Sequence, residues 1–596
     1  MTVYKAPLAD MHFVLFDLLK LDAQYARIDG GANATRDVVD AILDEAAKFS
    51  ETVLAPLNAP GDELGCTHDK TTGAVTTPPG FKDAYKQYVD GGWSGLTAPE
   101  AYGGQHLPES IGAPLKEMLD SANLSWGNFP LLSHGATEAL RLHGEEWQRV
   151  AFLKPIVEGR WTGTMCLTEP HCGSDLGLLK TRAEPNPDGT YRISGTKIFI
   201  TAGEHDLTEN IVHLVLARLP DAPAGVKGIS LFIVPKYKVD KSGQMGARNA
   251  VSCGAIEHKM GIHASVTCVM NFDGAEGYLI GQPNKGLNAM FTMMNTARLA
   301  VGIQGLGLIE RAYQGALVYA RERLQGRALG GAKFPDKPAD PLIVHADIRR
   351  MLLTQKAFAE GGRALAYYAA SLVDLVERAP TPDERKRADE LLSFIIPITK
   401  ALLTEAANEC TYHAVQIFGG HGYIHETGME QFARDARITT IYEGTTGIQA
   451  LDLLGRKIMQ TQGVGLKHFL EETGAFCQAN IANTAVQEFV APLATSAKQW
   501  ADLTQEIGKR AAANPDEVGV CAVDYLFYSG YIALAYFWAR SVAAADASTQ
   551  TSDFKQSKLA TARFYYARIL PRTLSHAANL RAGADSLMAM PDAQFG

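Results

Sequence analysis

From Asn284 the chain runs without a proline as far as Pro335, and apolar side chains recur through Met290, Met293, Leu299, Ile303, Leu306, Ile309 and Tyr313 at helical spacing. Proline lacks a backbone donor and clashes with the preceding turn, so its absence permits one long helix reaching about Arg323. The same period returns from about His345 to Glu377, Pro382 to Phe418 and Thr446 to Met459. Four long amphipathic helices in succession bury their stripes most simply as a bundle.

The rest of the chain follows different periods. From Thr35 to about Gly159 the spacing of Val38, Val39, Ile42, Leu43 and Ala46 is again helical, broken by loops such as Gly91 to Gly104, where Trp93 is assigned to packing. Between Trp161 and about Gly274 short β-rich runs take over: Tyr191 to Ile193, Lys197 to Thr201, Ile211 to Leu219, Ile229 to Val234 and Val266 to Phe272. Asp188-Gly189 and Ser194-Gly195 read as hairpin turns between them, so a small barrel or sandwich is expected. After Gly465 the sequence is helical and alanine-rich, an added all-α domain. The division is an N-terminal extension (1–34), a helical domain (35–160), a middle β domain (161–280), a helical bundle (281–460) and a further helical domain (465–596). The fold class is α+β.

Composition removes some function classes. With 56 basic against 65 acidic residues the net charge is −9, which opposes a nucleic-acid surface. Eight cysteines lack paired metal spacing, no metal site is expected, and reduced thiols in a cytoplasmic protein follow. Asp10 and Asp17 interrupt the first apolar stretch, which fits neither a secretory signal nor a transit peptide. Val518 to Ala539 has the length of a membrane span, but Asp524, Gly519 and Gly530 favour a buried helix, with peripheral membrane contact as the alternative.

Phosphate-loop, zincin and nucleophile-elbow motifs are absent from the sequence. Gly305-Leu306-Gly307 lies mid-helix, where it serves close helix packing rather than a dinucleotide fingerprint. Two stretches invite chemistry. One is Met165 to Asp175, with Leu167, Thr168, Gly173 and Ser174, a polar loop of small residues leaving a strand-like run; joined to Phe199-Ile200-Thr201 it describes a ring-binding wall. The other is Ile441 to Gln449, where Glu443 stands alone in a glycine-loosened turn, preceded by Gln416 to Tyr423 with Gly419 and Gly420.

With these motifs in order, residues 40 to 460 resemble the acyl-CoA dehydrogenase family. The resemblance implies an N-terminal α-helical domain, a middle β-barrel and a C-terminal four-helix bundle around FAD. It assigns flavin contacts to Met165, Leu167, Thr168, Gly173, Ser174, Phe199, Thr201, Thr445 and Gln449. Arg323, Gln325, Gln416, Gly419 and Gly420 fall to the FAD of a neighbouring subunit. Ser174, Asn295, Arg298 and Gly444 fall to the acyl-CoA. Phe199 stands where relatives usually carry Trp, His171 and Cys172 replace small residues after Pro170, and Gly447 replaces a frequent Gln. Length and the segment after residue 465 are similar to the branch with methylthiopropionyl-CoA and bacterial fatty acyl-CoA dehydrogenases.

The implied reaction is α,β-dehydrogenation, in which Glu443 removes the α-proton and the β-carbon gives a hydride to flavin N5. A carboxylate in an apolar pocket is tuned toward a weakly acidic carbon. The thioester oxygen is held by a ribityl hydroxyl and the Glu443 N–H. Expected partners are an acyl-CoA, an electron-transfer flavoprotein as acceptor and a second copy of the chain, in fatty acid β-oxidation. Oxygen as acceptor, as in an acyl-CoA oxidase, and a DNA-associated flavoprotein are the alternatives. Met290, Phe291, Met293 and Met294 read either as an acyl pocket or as core.

Overall fold

The computed structural model describes residues 3–596, which form two compact units. One contains Lys48–Leu107 and Ala122–Ala300, the other the chain up to Ala47, Pro108–Ser121 and Val301–Gly596. The run Glu109–His143 is two helices broken at Asn123, whose backbone is extended (φ −159°, ψ 92°). The Asn123 side chain accepts from Trp126 N at 3.0 Å and so caps the second helix.

The first unit is built on a seven-stranded sheet. Its neighbours run Val251–Ile256, Thr267–Ile280, Tyr191–Thr201, Arg182–Pro185, Asn210–Arg218 and Trp161–Cys166, and Ile229–Pro235 pairs with both Thr267–Ile280 and Asn210–Arg218. That double pairing closes five of the strands into a ring, while Val251–Ile256 and Trp161–Cys166 each pair with a single strand. Asn210–Arg218 and Ile229–Pro235 are buried along almost their whole length, and Val212, Leu214, Leu216, Leu231 and Ile233 pack with Phe152, Trp161, Met290 and Met293. Met290 and Met293 are therefore core.

Asp188-Gly189 is a turn as expected, with Asn186 N bonded to Thr190 O. Ser194-Gly195 is not. It lies inside the strand Tyr191–Thr201, opposite Asp273 and Phe272. The glycine is needed for close approach, since a Cβ there would lie 2.4 Å from Thr181 Oγ1.

The second unit holds the helices expected of a bundle. Gly286–Glu322 enters it at Val301, followed by Ala346–Arg378 and Pro382–Phe418. Thr381 and Glu384 form a capping box, with Pro382 at the first helical position. Gly305 lets its helix close on Pro382–Phe418, since a Cβ there would meet Leu403 O at 2.7 Å. Thr446–Leu451 continues as a π-helical segment, Asp452–Gln460, rather than as a regular helix.

Five helices of more than ten residues follow, from Val464–Ala479 to Arg572–Ala582. The longest, Asp516–Ala547, has the length and apolarity to cross a membrane, and 67% of its apolar window is buried within the protein. Its Asp524 accepts from His576 Nδ1 at 2.7 Å and Asn579 Nδ2 at 3.0 Å, and its Trp538 Nε1 donates to Ala357 O. Buried Arg363 binds Glu117 at 2.6 Å, Glu310 at 2.8 Å and Asp10, while Lys558 reaches Asp10 and Glu360. The earliest and latest segments are thereby tied to the bundle by charges that become costly when one partner is removed.

Candidate active site residues

In the sheet unit, the strand Trp161–Cys166 delivers the loop from Met165 to Asp175 beside the strand Tyr191–Thr201. Three bonds fix it there: Ile198 N donates to Thr168 O (2.9 Å), and Lys197 Nζ donates to Leu167 O (2.9 Å) and Glu169 Oε1 (2.8 Å). Glu169 also accepts from Lys180 N, Thr181 N and Thr181 Oγ1. Burial works against its ionisation, but Lys197 and these donors outweigh it and bring the carboxyl down to about 2. Burial likewise lowers the Lys197 ammonium, with Glu169 opposing. His171 and Cys172 lie within ligand distance of Glu169, yet its oxygens already serve this network.

The outcome is a wall. Met165 and Thr168 are half-buried, Leu167 is buried, Gly173 and Ser174 are exposed, and Thr201 pairs with Thr267. Phe199 is 60% exposed at φ +59°, and Ala202 follows at φ +54°. An exposed aromatic in a left-handed conformation is a strained arrangement of the kind found at ligand sites. A flat, partly apolar ring with hydrogen-bonding edges fits this donor and acceptor set, and the flavin of FAD is such a ring. On the helix Gly286–Glu322, Asn295 is exposed and Arg298 is buried.

In the helical unit, Glu443 is half-buried at φ +54° and is followed by Gly444 at φ +93°. Gln449, fully buried, donates through Nε2 to Glu443 O at 3.0 Å and lies 3.4 Å from Gly444 O. Lys400 Nζ donates to Gly444 O at 2.8 Å. Thr445 caps the next helix by accepting from Ile448 N. The Tyr442 hydroxyl donates to Gln304 Oε1 at 2.5 Å; burial, reinforced by Asp120, Glu443 and Asp435, holds this phenol well above its ordinary value.

Arg323 and Gln325 are exposed beyond the end of Gly286–Glu322, in a segment pinned where Leu342 N donates to Arg323 O and Gln325 N to Asp340 O. Gln416, Gly419 and Gly420 are exposed as well, and nothing lies within 4 Å of the Cβ positions of the two glycines. A stack of Tyr319 on Phe418, with centroids 4.2 Å apart, fixes the helix end beside them. An arginine and open backbone suit a pyrophosphate. Sequence reading missed Lys197, Glu169 and Lys400. For Lys197 a signal existed: a lysine at an inward position of an apolar strand requires a buried partner.

Likeness to known proteins gives the class of this fold. The chain belongs to the acyl-CoA dehydrogenase family: it matches the N-terminal domain model over residues 37–160, the middle domain over 164–275, the C-terminal domain over 284–459, and the "Acetyl-CoA dehydrogenase C-terminal like" model over 469–591. A 3-methylmercaptopropionyl-CoA dehydrogenase of Ruegeria pomeroyi is 42% identical over 98% of this chain and 99% of its own length. An acyl-CoA dehydrogenase of Bacillus anthracis solved with FAD shares the fold, with TM-score 0.74, 21% identity and coverage of 92% of this chain and 89% of that one. A chain solved in work on the electron transferring flavoprotein of Acidaminococcus fermentans has TM-score 0.57 and 28% identity, covering 70% and 97%. The protein is an FAD-dependent acyl-CoA dehydrogenase.

Proposed function

We propose that this enzyme converts a short acyl-CoA, with 3-methylmercaptopropionyl-CoA foremost, to its trans-2,3-enoyl thioester, with Glu443 as the base. The observation that carries the assignment is a half-buried glutamate at positive φ whose own carbonyl and that of Gly444 are each held by a side-chain donor. Such a turn fixes the direction of the side chain, as proton abstraction from carbon demands.

The bound flavin supplies the hydride acceptor for the β-carbon. Glu443 takes the α-proton, and the electron pair left on Cα becomes the new double bond as the β-hydrogen departs with its own pair. The wall from Met165 to Ser174 with Phe199 and Thr201 holds the ring, Arg323, Gln325 and Gln416 to Gly420 hold phosphate and adenosine across a second copy of the chain, and Asn295 and Arg298 contact the CoA ester. The 42% identity over nearly the whole of both chains supports the thioether substrate. Likeness to the chain from the flavoprotein work supports an electron-transfer flavoprotein as acceptor.

Anaerobic titration of the holoenzyme with butyryl-, octanoyl- and 3-methylmercaptopropionyl-CoA tests the reading. Fastest bleaching of the flavin by the thioether substrate is expected, with little peroxide in air. Preference for octanoyl-CoA would contradict the substrate, and rapid peroxide formation would contradict the acceptor.

A further inference from the structure

The helix Pro382–Phe418 presents one face to the segment that carries Glu443. Asn408 Nδ2 donates to Ala436 O at 3.1 Å, Glu405 Oε1 accepts from Thr446 Oγ1 at 2.5 Å, and Lys400 Nζ donates to Gly444 O at 2.8 Å. Residues 400, 405 and 408 lie within about two turns, so one rigid element grips the chain before, within and after the turn. Lys400 is fully buried. An ammonium taken out of water is expensive, so its burial has to be matched by the bonds it makes.

Its position against the turn supplies a reason. Two consecutive residues at positive φ, one of them not glycine, store on the order of 1–3 kcal/mol, and such a turn relaxes unless its peptides are pinned. Gln449 pins the Glu443 carbonyl and Lys400 the next one. A side chain at Gly444 would be strained by its φ of +93°, and its Cβ would lie 2.6 Å from Gln449 Nε2, the donor to the Glu443 carbonyl. The peptides that carry the Glu443 side chain are therefore held by donors from outside the turn.

We infer that Lys400 is a positioning residue for the Glu443 base, holding the Gly444 carbonyl so that the carboxylate faces the α-carbon. This rests on the reading of Glu443 as the base. It touches neither substrate nor flavin in this role; it acts through the peptide it binds.

The test is rapid anaerobic mixing of FAD-loaded Lys400→Met and Lys400→Arg with 3-methylmercaptopropionyl-CoA or butyryl-CoA. Lys400→Met should keep its flavin and reduce it about 10²-fold more slowly, the cost of a base misplaced by about 1 Å. Acyl-CoA affinity should stay within about twofold, and the isotope effect from α-deuterated substrate should rise, because ground-state binding is untouched while proton removal is slowed. Lys400→Arg should recover most of the rate. A wild-type rate in Lys400→Met, or a loss confined to affinity, would overturn the inference. If the methionine variant does not retain flavin, Lys400→Gln decides: slowed reduction at unchanged affinity supports the role and a wild-type rate removes it. Glu443→Gln measured alongside separates the two readings. Reduction persisting there removes the base itself, whereas its loss there with a wild-type rate in Lys400→Met removes only the role of Lys400.

Discussion

Phe199 in the sheet unit and Glu443 in the helical unit are both non-glycine residues at positive φ, but they are restrained by different means. The stretch around Phe199 is braced by a buried ion pair, Lys197 with Glu169, and by strand pairing on either side. The turn at Glu443 lies between helices, and Lys400 and Gln449 aim donors at its carbonyls. A surface against which a flat ring is to rest must be fixed, and a sheet braced by a charge pair meets that need. A residue that is to act as a base has to point its carboxylate while keeping it reactive, and bonds to the neighbouring peptides help to point it without drawing on its basicity.

The largest expected break in this comparison is Lys197→Met. Removing one partner of a buried pair should cost about 3–5 kcal/mol, read by denaturant unfolding of the holoenzyme. A loss below about 1 kcal/mol would show that the wall does not depend on its charge pair. On the other side, Gln449→Leu leaves the Glu443 carbonyl without its donor and should cost about 1–3 kcal/mol, with slower flavin reduction. Unchanged stability and rate would mean that the turn holds itself.

Acid should separate the two regions as well. Glu169 is held at about 2 against an ordinary 4.5, so its contribution is complete above 4.5 and is lost as pH falls through about 2. Thermal unfolding followed from pH 5 downward should show that loss in the wild type and less of it in Glu169→Gln. Parallel curves would remove the pair as its cause. The smallest stability effect is expected for Phe199→Ala, within about 0.5 kcal/mol because the ring is exposed. Its flavin should nevertheless dissociate about tenfold more readily, for want of a ring to stack on. Unaltered FAD affinity would take Phe199 out of the wall.

The difference between the regions also governs what the sequence discloses. The helix Pro382–Phe418 was legible at its start because Thr381, Pro382 and Glu384 are local signals. Glu443 and the loop after Met165 could be singled out in the sequence because their residue types and order carry the resemblance. Ser194-Gly195 misled, since a glycine that admits Thr181 looks the same in sequence as one that turns the chain. Lys197 and Glu169 are 28 residues apart, and Lys400 stands 44 before Gly444. Such pairs arise only from packing. Gln449, assigned by resemblance to the flavin, directs its amide nitrogen at the turn itself.

The most direct test of the account is a single turnover. FAD-loaded Glu443→Gln, mixed anaerobically with an acyl-CoA that bleaches the wild type, should bind the thioester and leave its flavin oxidised, with reduction slowed by about 10⁴-fold, the upper range for a lost general base. Bleaching at the wild-type rate would contradict it.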